Sequence, residues 1–266
     1  MKFLQKALVV FLSVVMVWLS ASCSLFKAHN RAFDNIIVVI GDGMGENHIL
    51  NAIDYFNLDI PVFISDKKGY IGTNSLSGVT DSAAGGTALA TGRKVINGNV
   101  AWYDGEGIEQ ITEIAKAEGM KTGIVTTDIL SGATPAAFSA HANNRSNTFS
   151  IITTQAESDI DLFLGRYSSS YFGDEFASKG YMFVDKKDDL QNAKNSKKVM
   201  GMFEDVASSY IYERERSKSV QLKEMAEFAV EYLENKKGFF LMIEGAYIDK
   251  YSHRRSGRKR RDISRF

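Results

Sequence analysis

The run Asn35–Ile40, N-I-I-V-V-I, restricts the fold more than any other stretch, because its five consecutive β-branched residues leave neither face of a strand for water. Runs of this kind belong to strands buried on both sides, in parallel sheets whose faces are covered by helices. The run ends in Gly41-Asp42-Gly43-Met44-Gly45. A strand, a glycine turn and then a helix is how α/β folds present ligand-binding groups at a strand's carboxyl end. As a nucleotide signature the glycine string is weak. It lacks the G-x-x-G continuation, and the acid inside the turn would repel a pyrophosphate. Asp42 suits a cation better.

The same alternation continues along the chain. A short strand is expected at Gly69–Thr73 and a helix over Ile108–Glu118, with Ile108, Ile111, Ile114 and Ala115 on one face and Gly119 as its stop. Lys121–Thr126 reads as the next buried strand, Thr127–Pro135 as a loop of small residues and Ala136–Asn144 as a helix. Short strand patterns follow at Ile160–Leu164, Tyr181–Val184 and Lys198–Phe203. Ser219–Asn235 is the clearest amphipathic helix, placing Leu222, Met225, Ala226, Ala229, Tyr232 and Leu233 on one side. Phe239–Ile243 is a further buried strand that runs into E-G-A-Y-I-D-K-Y-S-H. No internal repeat or long linker interrupts this pattern, so one domain is expected. Its class is α/β, a mainly parallel sheet with helices on both faces.

A second informative stretch is Val79–Gly92, V-T-D-S-A-A-G-G-T-A-L-A-T-G. Its small side chains let backbone approach another element or a ligand. If a helix begins at Ser82, that hydroxyl lies where unpaired N–H groups and the helix dipole favour negative charge. The serine could then bind a phosphate or attack one. The competing reading is an ordinary helix cap on a close-packed helix.

The two ends differ from the middle. Lys2 and Lys6 precede a 13-residue apolar run, Ala7–Leu19, too short for a bilayer span, followed by Ser20-Ala21-Ser22 and the only cysteine, Cys23. Residues 1–22 resemble a bacterial lipoprotein signal, whose cleavage leaves Cys23 as a lipidated first residue. Ser20 stands where such signals usually carry leucine, so a plain secretory signal or an uncleaved anchor remains open. Each reading exports the protein, to the periplasm or as an outer-membrane lipoprotein. A single cysteine excludes an internal disulfide. The formal net charge is zero, but residues 254–266 hold seven basic residues and one acid, leaving about −6 on the rest. That segment follows abruptly on a patterned one and has no apolar periodicity. It reads as a tail foreign to the domain at 23–253 and not as a nucleic-acid arm.

Asp42, Thr134 and Arg145, and the run Glu244–His253 all follow predicted strands. In a parallel sheet such ends lie along one rim, where carboxylates, a hydroxyl and an imidazole can hold Zn²⁺ or Mg²⁺. Four segments now carry a resemblance: I-G-D-G-M-G, V-T-D-S-A-A-G-G-T-A, A-T-P-A-A-F-S-A-H-A-N-N-R and F-F-L-M-I-E-G-A-Y-I-D-K-Y-S-H. In this order, over residues 35–253, they are similar to the metal-binding and nucleophile motifs of alkaline phosphatases. The resemblance implies hydrolysis of small phosphate monoesters through a phosphoserine on Ser82. It implies that Asp42 bridges a zinc and the magnesium, that Thr134 and Glu244 complete the magnesium site, and that Asp249 and His253 hold the other zinc. Ser82 would itself contact a zinc, Arg145 would clamp the phosphate and Lys250 would reach the phosphate or its waters. A homodimer is compatible with the family.

Two departures qualify these expectations. Some family members carry a carboxylate or histidine two places before the magnesium threonine, where this chain has Gly132, implying weaker or water-mediated magnesium binding. The family also supplies an Asp-His pair and a further histidine beyond the position of His253, and residues 254–266 offer only Asp262. The sheet is therefore expected to be incomplete at its C-terminal side, with about two protein ligands per zinc. The alternative function is a non-catalytic fragment that binds metal or phosphate weakly. A sulfatase or diesterase relative is disfavoured, since no C/S-x-P-x-R signature accompanies Ser82. His141 reads as structural, and His29 and His48 as solvated.

Overall fold

The computed structural model describes residues 34–56, 69–171, 173–206 and 219–253. The expected signal segment at 1–22, Cys23, His29 and the basic tail lie outside the described residues. The described residues from Asn35 to His253 belong to one compact unit. Among the described residues no helix is long and apolar enough to cross a membrane.

The chain runs β1 (Ile36–Gly41), α1 (Glu46–Phe56), α2 (Ser82–Thr91), then the two-residue strands β2 (Trp102–Tyr103) and β3 (Glu106–Gly107), and α3 (Ile111–Ala117). After these come β4 (Lys121–Ile129), α4 (Ala133–Ala137), α5 (Thr148–Glu157), β5 (Leu162–Arg166), α6 (Gly173–Ser178) and β6 (Tyr181–Val184). The last elements are β7 (Lys198–Phe203), α7 (Leu222–Leu233), β8 (Phe239–Gly245) and α8 (Tyr247–His253). Six strands form one parallel sheet in the order β1-β8-β4-β5-β7-β6. The α/β class and the helices on both faces are therefore as expected.

Side chains of alternating parity feed two cores. On one face Ile124, Phe163, Met200, Phe240 and Met242 pack with Ala115, Ile152 and Phe176 from α3, α5 and α6. On the other, Val125, Leu162, Val199, Leu241 and Ile243 pack with Met225, Phe228, Ala229, Tyr232 and Leu233 of α7. Each large side chain so buried contributes about 1.5–3 kcal/mol. A Gln221–Glu224 capping box starts α7, and Gly119 at φ +77° follows α3, as a chain reversing into β4 requires.

Four local expectations are corrected. β1 is not covered on both faces: Val38 and Ile40 pack on the core, while Ile37 and Val39 are 46 % and 71 % exposed. It is one of the two edge strands, and among the described residues nothing covers that face. Gly69–Thr73 forms no strand; Tyr70 and Ile71 are exposed, and among the described residues no neighbouring strand supplies a ladder. The loop expected at Thr127–Pro135 is shorter, because β4 runs on to Ile129 and α4 starts at Ala133. Instead of a helix to Asn144, the chain leaves α4 at Phe138 and pairs Ala142 with Val100.

Candidate active site

α2 begins at Ser82, but its N-cap is Asp81, whose carboxylate accepts the Ala84 N–H at 2.9 Å. Capping is thus done by the neighbour, and the serine hydroxyl is left to face the sheet. It donates to Asp42, 3.2 Å and 3.1 Å from the two carboxylate oxygens. Asp42 follows β1 directly, in the glycine turn. The small residues of α2 serve a close approach to α4: a Cβ on Gly86 would lie 3.0 Å from that of Ala137. Asp81 also accepts from the Gly98 N–H at 3.1 Å and from Arg145 Nη1 at 3.2 Å. Arg145, exposed at the mouth, is therefore anchored one residue before Ser82.

Glu244 lies one residue before the end of β8, in register with Ile40 of β1 and Thr126 of β4. It is 1 % exposed. Thr126 donates a short hydrogen bond to Glu244 Oε2, and the buried Thr134 at the start of α4 lies near enough to favour the charged carboxylate as well. Burial, with the charges of Asp42 and Asp128 nearby, pushes the Glu244 pKa up to about 7 despite these two threonines. The Asp42 pKa is raised as well, by burial first and then by Asp249.

Asp249 packs against the turn after β1, where a Cβ on Gly43 would lie 2.7 Å from Asp249 Oδ1. Gly43 also sits at φ +63°, so glycine is required there twice over. One turn along α8, His253 Nε2 bonds Asp249 Oδ1 at 3.1 Å with its side chain 80 % exposed. His48, expected to be solvated, links this helix to α1: Nε2 meets Ser252 Oγ at 3.0 Å and Nδ1 accepts the Gly45 N–H at 3.1 Å. His141 is structural as expected. Its ring nitrogens face the Ala101 carbonyl at 3.0 Å and Glu113 Oε1 at 3.1 Å. Burial opposes the charged ring, but these two acceptors outweigh it and raise the pKa.

The arrangement brings Ser82, Asp42 and Arg145 together through Asp81, and Glu244 together with Thr134. It sets Asp249 beside Asp42. Buried and repelled carboxylates flanked by hydroxyls suit a hard divalent cation, so Asp42, Thr134 and Glu244 fit magnesium. Asp249 and His253 fit zinc by donor type. Among the described residues no group of three or more His, Cys, Asp or Glu side chains gathers around one point. Lys250 forms an ion pair with Asp128 near the end of β4. Thr126 and Asp128 escaped the reading of the sequence, where T-T-D looks like any strand end; their place beyond a buried run was the only signal. A separate cavity of about 830 Å³ opens beside the ends of β5, β6 and β7, lined by Tyr167, Asp185 and Glu204 among others. None of the residues above line it.

A sheet of this order, with a serine at a helix start and carboxylates on the strand ends, corresponds to a known class. The alkaline phosphatase family model matches residues 33–161 and 152–261. This chain belongs to the alkaline phosphatase family. It is 36 % identical to alkaline phosphatase 4 of Bacillus subtilis over 85 % of its own length and 54 % of that protein's. For the alkaline phosphatase of Schizosaccharomyces pombe the identity is 31 %, over 92 % of this chain and 53 % of the other. The chain thus spans about half the length of the curated relatives it matches. The alkaline phosphatase of the Antarctic bacterium TAB5 superposes with a TM-score of 0.71 at 29 % identity, covering 82 % of this chain and 66 % of that one. A variant of the TAB5 enzyme solved with magnesium bound gives a TM-score of 0.72 at 28 % identity, covering 82 % and 65 %.

Proposed function

We propose that the chain carries the serine half of a phosphate monoester hydrolase and transfers phosphate to Ser82. The observation that carries this reading is the double approach of the Ser82 hydroxyl to Asp42 at the start of a ten-residue helix. Asp42 fixes the hydroxyl's direction. The first turn of α2 and the Arg145 guanidinium, held by Asp81, supply positive potential where the phosphoryl oxygens would lie. The Oγ–phosphorus bond forms as the bond to the ester oxygen breaks. The serine proton passes to solvent, the leaving alcohol takes one up, and water then releases phosphate from Ser82. Bound zinc and magnesium would supply the charge that acidifies the hydroxyl and neutralises the phosphoryl oxygens. Asp42, Thr134 and Glu244 would hold magnesium, and Asp249 and His253 a zinc.

A second reading, weak phosphate or metal binding without turnover, is favoured by the exposure of His253 and by its having Asp249 as its ion-pair partner. Incubation with zinc, magnesium and p-nitrophenyl phosphate, acid quenching and mass spectrometry separates the two. Phosphate on Ser82, lost in Ser82→Ala, is the expected result. Turnover that survives Ser82→Ala overturns the first reading, and saturable phosphate binding with no modified serine establishes the second. We further propose that the protein is exported and held at a membrane by a lipid on Cys23, that it pairs as a homodimer, and that it acts on small phosphomonoesters.

A further inference from the structure

Gly132 leaves no side chain where relatives can carry one, yet the space above it is filled. A Cβ built there would lie 2.8 Å from Asp128 Oδ2 and 3.0 Å from the Ile129 carbonyl. The Asp128 carboxylate reaches this place from the end of β4, by a tight local turn. Its Oδ1 accepts the Ile129 N–H at 2.7 Å and also meets the Lys250 ammonium, with Arg166 Nη2 at 3.6 Å. Its own N–H donates at 2.9 Å to Thr126 Oγ1, the hydroxyl that donates to Glu244. The Asp128 side chain is 15 % exposed, against 36 % for Lys250 and 40 % for Arg166. This is a mostly covered anion serving two cations, unlike a surface ion pair.

We propose that Asp128 is the positioning residue of this rim. Its carboxylate, reaching from strand β4 into the space above Gly132, holds Lys250 at the rim and lends a negative charge to the Thr134–Glu244 cation pocket. Substitution and loss are then coupled, because the carboxylate has its place only while residue 132 is glycine. The inference rests on the reading of Glu244 and Thr134 as magnesium ligands, and it concerns binding and not the chemical step.

The probe is Mg²⁺ alone, titrated calorimetrically into the full chain. Asp128→Asn keeps shape and hydrogen-bonding capacity, so the fold, checked by melting, should stand while Mg²⁺ affinity falls about 10- to 100-fold, as for other groups that orient ligands. Gly132→Ala should weaken binding in the same direction by displacing the carboxylate. Asp128→Ala combined with Gly132→Asp should recover most of what Asp128→Ala loses. An Asp128→Asn chain that binds Mg²⁺ like the parent, a parent that binds none, or a double variant no better than Asp128→Ala each overturns the proposal. Absence of phosphate on Ser82 would sink the hydrolase reading and leave this titration unaffected.

Discussion

Glu244 and His253 belong to one strand–helix unit, yet their surroundings are opposites. Glu244 is 1 % exposed and accepts the Thr126 hydroxyl of β4, with Thr134 of α4 close by. The His253 side chain is 80 % exposed, with Asp249 on its own helix as its partner. The cause is position in the sheet. β8 lies between β1 and β4, so the end of β8 has neighbours on each side. α8 instead stands over the turn after β1, an edge strand, whose Val39 is 71 % exposed. Burial concentrates electrostatics, because a carboxylate out of water is strongly biased by every nearby charge. One pole of the rim is therefore pre-organised by its own fold, and the other presents its side chains without walls.

The largest effect that tests this contrast is on stability. At pH 5, where Glu244 is protonated, Glu244→Ala removes the partner of the buried Thr126 hydroxyl and leaves a cavity. The expected loss is about 2–4 kcal/mol in denaturant melts. His253→Ala should stay within about 0.5 kcal/mol, as an exposed i,i+4 pair implies. Equal losses at the two positions would break the comparison.

The pH dependence sharpens the same point. The Glu244 pKa of about 7 lies above its ordinary 4.5, so the folded chain binds the proton more tightly than the unfolded chain does. Stability from this group is present below about pH 4.5 and is lost as pH rises through 7. Between pH 5 and 8 the metal-free chain should lose stability on the order of 2–3 kcal/mol, and Glu244→Gln should flatten that slope. Added Mg²⁺ should flatten it too by favouring the charged form. A metal-free chain that grows more stable over this interval would show that Glu244 is not buried in the way described.

What the sequence made legible follows the same division. Lys198–Phe203 read correctly because every residue of it is buried, and α7 because its apolar side repeats at helical spacing; Tyr181–Val184 read correctly although Met182 and Phe183 are exposed. β1 read as doubly buried because five β-branched residues carry no mark of being at an edge. Ser82, Asp42 and Glu244 were identifiable by their place after strands, and their distances were not. Asp128 was illegible. Nothing in T-T-D-I-L-S-G distinguishes a solvated acid from one folded over Gly132; only the close approach of three segments makes the difference. Asp81 likewise reads as an acid beside a serine. Its role as the cap, which frees the Ser82 hydroxyl, depends on where α2 starts.

A smaller pH-dependent effect is expected where His141 ties α3 to the segment before β2. Hydrogen bonding to His141 leads the causes that lower the Glu113 pKa below 4.5, while the His141 pKa is raised above 6.5. The carboxylate contributes stability above about pH 4.5 and loses it as pH falls through its depressed value. The imidazolium contributes fully below about pH 6.5 and loses it as pH rises through its elevated value. The pair is therefore strongest between those limits. His141→Asn should cost most near pH 5.5, on the order of 1 kcal/mol, and less by pH 8.5, since the neutral ring can still donate to one acceptor. A penalty that grows toward pH 8.5 would mean that His141 is held neutral. The segment carrying Gly98, on which Asp81 and Arg145 both lean, would then be fixed by packing instead of by charge.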